Sequence, residues 1–398
     1  MTSSVSHSHL PQPGEDSEVV VRVFALTDVG HTRDHNEDTF LVADLEGAQP
    51  LEFETGASRE LRPGSHGILF LVADGMGGAA SGELASSMAG STVLEVLSQE
   101  WSNSGKVVSA DVFATALRDA TSEANDRIHR YARENPEHRG MGTTATIAGL
   151  LDDHVYVAQV GDSRAYLVRN GRAIQLTKDQ SLMQRLVEAG EITQEEAEAS
   201  DRRNIILQAL GPEPQITIDL THQQLRRGDT LILCSDGLSG LVKTDEIARL
   251  ATDVPDVGVL CRRLVGRANE MGGPDNITVI AVQVDGRRLA ASRADDRVGH
   301  TTFPLEGTLS VDDSASGKTS YRSDPTPPFG FRQPQRSTIE SEFANASAAE
   351  ESEAIGGASA ADVPLDERKQ KVAPVMLFLG IAAVVVALWT LWRLLQRS

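Results

Sequence analysis

Short apolar blocks, each closed by Gly or Asp, recur from Glu18 to about Asp285. Blocks of this length, rich in Val, Ile, Leu and Thr, predict β-strands. They lie at Val19–Leu26, Thr39–Asp44, Gly67–Asp74, Thr143–Leu151, His154–Val160, Ala165–Asn170, Gln215–Leu220, Asp229–Ser235 and Asn276–Val284. Longer stretches with a helical period predict helices at Gly82–Trp101, Asp111–Asn135, Ser181–Gly190 and Val257–Gly272, with Ser109 as a cap for the second. The strands cluster as hairpins. His154 to Thr177 reads as a meander turning at Asn170-Gly171, a pair suited to a two-residue hairpin loop. That pattern favours an α+β fold of packed antiparallel sheets flanked by helices over a doubly wound parallel sheet.

The pattern fails on both sides of this region. Residues 1–17 read as a flexible N-terminus without the apolar stretch of a secretory signal, and residues 286–371 as a flexible linker without sustained apolar period. Within the linker, Asp324–Pro328 reads as solvated spacer or as a ligand for a Pro-binding domain. Residues 372–392 carry no charge, enough to cross a hydrocarbon core of roughly 30 Å as one transmembrane helix. Arg368, Lys369 and Lys371 precede the run, Arg393 and Arg397 follow it, and Trp389 and Trp392 stand near its end. A buried core helix is the alternative. The expectation is a single-pass cell-membrane protein with a short tail at 393–398 and the folded domain, 18–285, in the cytoplasm.

Charge narrows the function. The chain has 37 Lys and Arg against 57 Asp and Glu, a net −20, which argues against nucleic acid as a partner. Its 2 cysteines, Cys234 and Cys261, exclude a disulfide framework and thiolate-rich metal sites.

Acids recur at the ends of the apolar blocks. Asp74 follows Ile68–Ala73, Asp236 follows Leu231–Ser235, Asp162 follows Val155–Gly161, Asp275 opens the last strand, and Glu37 and Asp38 precede the second. Any one Asp-Gly pair is ordinary turn chemistry. Several carboxylates gathered at one sheet rim would repel unless a cation neutralised them, and oxygen-only donors suit Mg²⁺ or Mn²⁺. Arg33, close to Glu37, is the side-chain type that grips phosphate bidentately; a surface ion pair is its plainer reading.

Five blocks occur in order: TDVGHTRDHNED from Thr27, ADGMGG from Ala73, GDSR from Gly161, SDGL from Ser235 and GGPDN from Gly272. Together they resemble the PPM-type (type 2C) metal-dependent serine/threonine protein phosphatases, bacterial branch, over about Val19 to Asp285. The resemblance implies a four-layer αββα sandwich. It implies that Asp74 bridges two Mg²⁺ or Mn²⁺ ions with the Gly75 carbonyl on one, and that Asp236 and Asp275 complete the other. Glu37 and Asp38 would hold the water shell or a metal, Asp162 a third, weaker ion, and Arg33 the substrate phosphate. Arg33, Asp74 and Asp236 would be the catalytic set. The implied activity is hydrolysis of phosphoserine and phosphothreonine on phosphoprotein substrates by direct attack of a metal-activated water, countering a serine/threonine kinase. Gln180–Leu210 would be a mobile flap beside the site. Met76 stands where some members carry His, and a thioether transfers no proton; His35 is a nearby candidate general acid.

Rival readings stay beside this one. Cys261 and Arg267 have the spacing of cysteine phosphatases, but Cys261 falls on the apolar face of a predicted helix. Gly75–Ala80 loosely fits a dinucleotide loop, with Asp74 placed to repel a pyrophosphate. A phosphatase-like regulator without turnover and a membrane scaffold acting through its tether are two further classes.

Overall fold

The computed structural model describes residues 19–53, 57–104, 108–200 and 202–304. The expected membrane span at 372–392 and most of the linker lie outside the described residues. Among the described residues no helix is long and apolar enough to cross a membrane.

In chain order the first half forms β1 (Val19–Asp28), β2 (Asp38–Asp44), β3 (Gln49–Pro50), β4 (Arg59–Leu61), β5 (Ile68–Met76), α1 (Ala79–Ser104) and α2 (Ala110–Glu134). Then come β6 (Gly142–Thr143), β7 (Ala145–Leu151), β8 (His154–Val160), β9 (Arg164–Arg169), β10 (Arg172–Gln175), α3 (Leu182–Glu188) and α4 (Gln194–Ala199). The last elements are β11 (Asp219–Gln224), β12 (Thr230–Cys234), α5 (Asp236–Ser239), α6 (Thr244–Asp253), α7 (Val257–Glu270) and β13 (Ile277–Gly286).

Two antiparallel sheets result. One has the order β10-β9-β12-β13-β1-β4, the other β11-β8-β7-β5-β2-β3, with β6 paired to the end of β5. Alternation explains why the strands read as unbroken apolar runs. In β5, Ile68, Phe70 and Val72 face the space between the sheets, while Leu69, Leu71 and Ala73 face α1 and α2. In β12, Leu231 and Leu233 point inward, while Ile232 and Cys234 meet α7. Such strands are buried on both faces and have no polar side to show. Three apolar layers therefore separate four structural layers, the predicted αββα sandwich.

Local signals act as their chemistry requires. Ser109 Oγ accepts the Val112 N–H at the start of α2. Asn170 and Gly171 both take positive φ, which lets β9 turn directly into β10.

The structure departs from the sequence reading in three places. The strand expected at Gln215–Leu220 forms at Asp219–Gln224, because register with β8 decides it; Ile216 and Ile218 pack on the core beside it. Helix α6 was not expected. The packed body also continues past Asp285, where the linker was expected to begin. Leu289 is buried, Phe303 packs edge-on against Tyr156 and His222, and the Phe303 N–H donates to Leu220 O at 2.8 Å. This strap covers the outer edge of β11, a strand that would otherwise offer unpaired groups to other chains.

One buried ion pair joins β9 to the turn before β12. Arg169 Nε donates to Asp229 Oδ1 at 2.8 Å, and Asp229 Oδ2 also accepts the Arg226 N–H. Removing one partner strands a buried charge. Asp229→Ala should lower unfolding free energy by about 3 kcal/mol in urea titrations of the full chain.

Candidate active site

Both sheets deliver acids to one rim. Asp38 starts β2 and lies directly across from Asp74 at the end of β5. Asp162 follows β8, Asp236 follows β12, and Asp275 precedes β13, whose start pairs with the end of β12. Antiparallel pairing puts the end of one strand beside the start of the next, so acids far apart in the chain share one edge.

The carboxylates are held in place through their neighbours. Asp38 Oδ2 accepts from Ser235 Oγ at 2.8 Å and Thr278 Oγ1 at 2.6 Å, both from the opposite sheet. The Asp74 N–H donates to Thr144 Oγ1, while Asp74 O accepts from the Thr144 N–H and from Thr143 Oγ1, each at 2.9 Å. Asn276 clamps the loop before β2: its amide donates to Val29 O and His35 O, and its Oδ1 accepts the Glu37 N–H at 2.8 Å. Gly75 is walled in: an added Cβ would lie 2.2 Å from Gly82 O and 2.6 Å from Glu37 O. At Gly30 φ is +77° and a Cβ would lie 2.2 Å from Asp275 O, so only glycine lets the loop carrying Arg33 close on Asp275.

The electrostatics follow from this crowding. Loss of hydration, then hydrogen bonds from Thr278 and Ser235 that oppose it, and repulsion from Asp236 and Asp275 leave Asp38 raised to about 7. Burial, Asp236 and Asp179 raise Asp162 to about 8. Asp74 is pushed well above the carboxylate range by burial and by Asp38, Asp236, Asp162 and Asp275. Asp236 is raised by burial and Asp275, and it is in side-chain hydrogen-bond contact with Asp74. Burial also raises Glu37, against the pull of Arg33.

These donors fit hard divalent cations. Asp38 Oδ1 and Asp162 Oδ1 are buried without a hydrogen-bond partner, each an acceptor that needs a proton or a cation. Among the described residues no three His, Cys, Asp or Glu side chains close into one tight cage. Asp162, Asp236 and Asp275 line a shared opening instead, and hard divalent ions bound by few carboxylates keep several waters.

Arg33 Nη2 pairs with Asp275 Oδ2 at 2.9 Å, and its side chain is 52% exposed. Both readings of Arg33 are thus present: it makes an ion pair, and it stands free enough at the mouth of the site to meet an anion. His35 is exposed, and Met76 ends β5 opposite Gly142. Neither supplies a positioned proton donor. Cys261 Sγ donates to Phe24 O at 3.4 Å, and burial pushes both thiols up to about 12, so the cysteine-phosphatase reading fails.

A cavity of about 290 Å³ opens from the rim. Arg33, Asp162, Asp236 and Asp275 line its body side; Ser181, Met183, Arg203 and Asn204, from the expected flap, line the other. Backbone pairing of Gln180 with Gly161 and of Leu210 with Thr143 ties the ends of the flap to the body, and ion pairs add to this. Arg164 Nη2 grips Asp179 at 2.7 Å at its root, and Glu198 of α4 pairs with Lys243 at the start of α6.

Glu37, Asp38, Asp74, Asp162, Asp236, Asp275, Gly30 and Gly75 all lay in quoted sequence blocks, but Asp179 and Glu198 did not, and Ser235, Thr278, Thr144 and Asn276 were missed as positioning groups. The available signal was a lone hydroxyl within an apolar strand, as at Thr278.

Each raised carboxyl binds its proton more tightly in the folded chain than in the unfolded one. The resulting stability is complete below the unfolded carboxylate range and is lost as pH rises through about 7 to 8. In chelator, the chain should melt at lower temperature at about pH 8.5 than at about pH 5.5, and saturating Mn²⁺ should cancel the difference in thermal melts.

Residues 59–264 match the family model Protein phosphatase 2C. The serine/threonine phosphatase stp of Listeria monocytogenes is 36% identical over 259 residues, 65% of this chain and 94% of that protein. The serine/threonine protein phosphatase PstP of Mycobacterium tuberculosis is 34% identical over 296 residues, 74% of this chain but 49% of that protein. The catalytic domain of PstP solved in complex with 2 manganese ions superposes with TM-score 0.54 at 32% identity, over 67% of this chain and 99% of that one. Stp1 of Staphylococcus aureus gives TM-score 0.55 at 31% identity, over 71% of this chain and 100% of that one. Two sheets that bring acids to one rim, a phosphatase 2C match across half the chain, and a 36% identical relative aligned along 94% of its length agree: the chain belongs to the protein phosphatase 2C family.

Proposed function

We propose that this rim hydrolyses phosphoserine and phosphothreonine on proteins, as a metal-dependent protein serine/threonine phosphatase. The observation that carries the reading is that Asp162, Asp236 and Asp275 line one opening with Arg33, while Glu37, Asp38 and Asp74 lie close enough behind it to feel the same acidic neighbours. Two Mg²⁺ or Mn²⁺ ions would supply the positive charge that lowers the pKa of a water between them. Asp74, placed between the other acids, would hold both ions, with the Gly75 carbonyl on one. Asp236 and Asp275 would hold the second, and Glu37 and Asp38 would orient the hydration around the pair. Asp162, with its orphaned oxygen beneath the flap, would hold a third ion more weakly. Were Asp275 to hold a cation, the Arg33 guanidinium would be free to bind the phosphoryl oxygens on which charge accumulates during displacement. No protein nucleophile is required, because water attacks phosphorus in line with the leaving Ser or Thr oxygen. The proton donor to that oxygen is solvent in this reading, since Met76 cannot donate.

The same reading extends to the cell. The uncharged run 372–392 supports a membrane anchor, and residues 1–17, without the apolar stretch of a secretory signal, support a cytoplasmic catalytic domain. A membrane-bound serine/threonine kinase acting on the same proteins is the matching partner.

Asp74→Asn and Asp236→Asn should each cut Mn²⁺-dependent hydrolysis of p-nitrophenyl phosphate and of phosphothreonine peptides at least a hundredfold, with circular dichroism unchanged. Undiminished turnover in both variants would refute the assignment. Asp162→Ala should lower turnover less and raise the Mn²⁺ concentration needed for half activity.

A further inference from the structure

The flap carries a feature that phosphate hydrolysis does not use. Residues 205–207 run antiparallel to residues 180–182, joined by Leu182 N–H to Ile205 O at 2.9 Å and Leu207 N–H to Gln180 O at 2.7 Å, with Ser181 opposite Ile206. In such a ladder the backbone groups of the middle residue point the other way. The Ile206 N–H and C=O accordingly have no hydrogen-bond partner among the described residues. Side chains in an extended segment alternate, so Ile205 and Leu207 share the outer face, 43% and 47% exposed, while Ile206 turns inward.

The placement is not random. Among the described residues the exposed large apolar side chains are Val29, Val112, Ile205, Leu207 and Met271. All but Val112 lie in segments that lead into the catalytic cavity through Arg33, Arg203, Asn204, Pro274 or Asp275. A lone exposed apolar residue means nothing; an apolar pair flanking an open strand edge beside a cavity is a docking surface.

We propose that residues 205–207 are a strand-addition site for the substrate chain. The polypeptide next to the phosphorylated Ser or Thr lies extended along the flap, pairs its backbone with Ile206, and rests large aliphatic or aromatic side chains on Ile205 and Leu207. This rests on the phosphatase reading above and adds the sequence context that the site selects. An extended peptide fits better than a second copy of the chain. The open edge is one residue's backbone and two side chains, well short of the roughly 800 Å² per partner that a stable dimer covers. Arg203 and Asn204, the residues directly before this edge, line the same cavity as Asp162 and Asp236, so a chain bound along 205–207 lies next to the cavity wall.

The test uses the full chain with Mn²⁺ and three phosphothreonine peptides. One has large apolar residues flanking the phosphothreonine, one has Ser and Gly there, and one repeats the first with N-methylated flanking amides. Wild type should favour the apolar peptide over the polar one about tenfold in kcat/KM, mainly through KM, and N-methylation should erase the gain. In the double variant Ile205→Ser/Leu207→Ser the ratio should fall to near one, while Val112→Ser should keep it. A wild-type ratio near one, no effect of N-methylation, or a ratio that survives the double substitution overturns the proposal. So does a dimer, seen by sedimentation, that the double substitution dissociates. Hydrolysis of p-nitrophenyl phosphate separates the two levels. If wild type cleaves it without peptide preference, only this inference fails; if it cleaves nothing, the phosphatase reading fails first.

Discussion

Repulsion among carboxylates is the constraint around which this domain is arranged. Asp38, Asp74, Asp162 and Asp236 are each raised by burial and by acidic neighbours, Asp275 in the case of Asp236, and two of their oxygens find no partner. Such a cluster is unfavourable in a folded chain unless the scaffold around it is rigid. The scaffold here is two sheets buried on both faces, with apolar cores running along the strands at whose ends the acids stand. Ser235 and Thr278 reach from one sheet to Asp38 on the other, so the site also fastens the sheets together at this rim.

Rigidity at the rim contrasts with its surroundings. The flap is built of short helices, mostly exposed, and is fastened by ion pairs at Asp179 and Glu198 rather than by a core. Phosphate chemistry belongs to the rigid side, and discrimination between polypeptides belongs to the side that can adapt. The Arg33–Asp275 pair sits at the boundary. It is a surface ion pair between the loop before β2 and the loop before β13.

The strap at 287–304 changes where the domain ends. Phe303, His222 and Tyr156 seal the β11 edge. Its signal in the sequence was faint because its anchors are single residues, Leu289 and Phe303, spaced without period.

What the chain states by itself is local. Apolar runs such as Ile68–Ala73 announced strands buried on both faces, Ser109 announced a helix start, and Asn170-Gly171 announced a hairpin, because each depends on neighbours a few residues away. The acids were visible too, since each ends an apolar block. Their meeting was not readable from spacing, because Asp38 and Thr278 are 240 residues apart and only strand register places one against the other. Register likewise moved β11 off the apolar stretch at Gln215–Leu220 and onto a polar one, where pairing with β8 outweighs local preference. The open edge at Ile206 is of the same kind: an unpaired backbone group exists only once the rest of the ladder has formed.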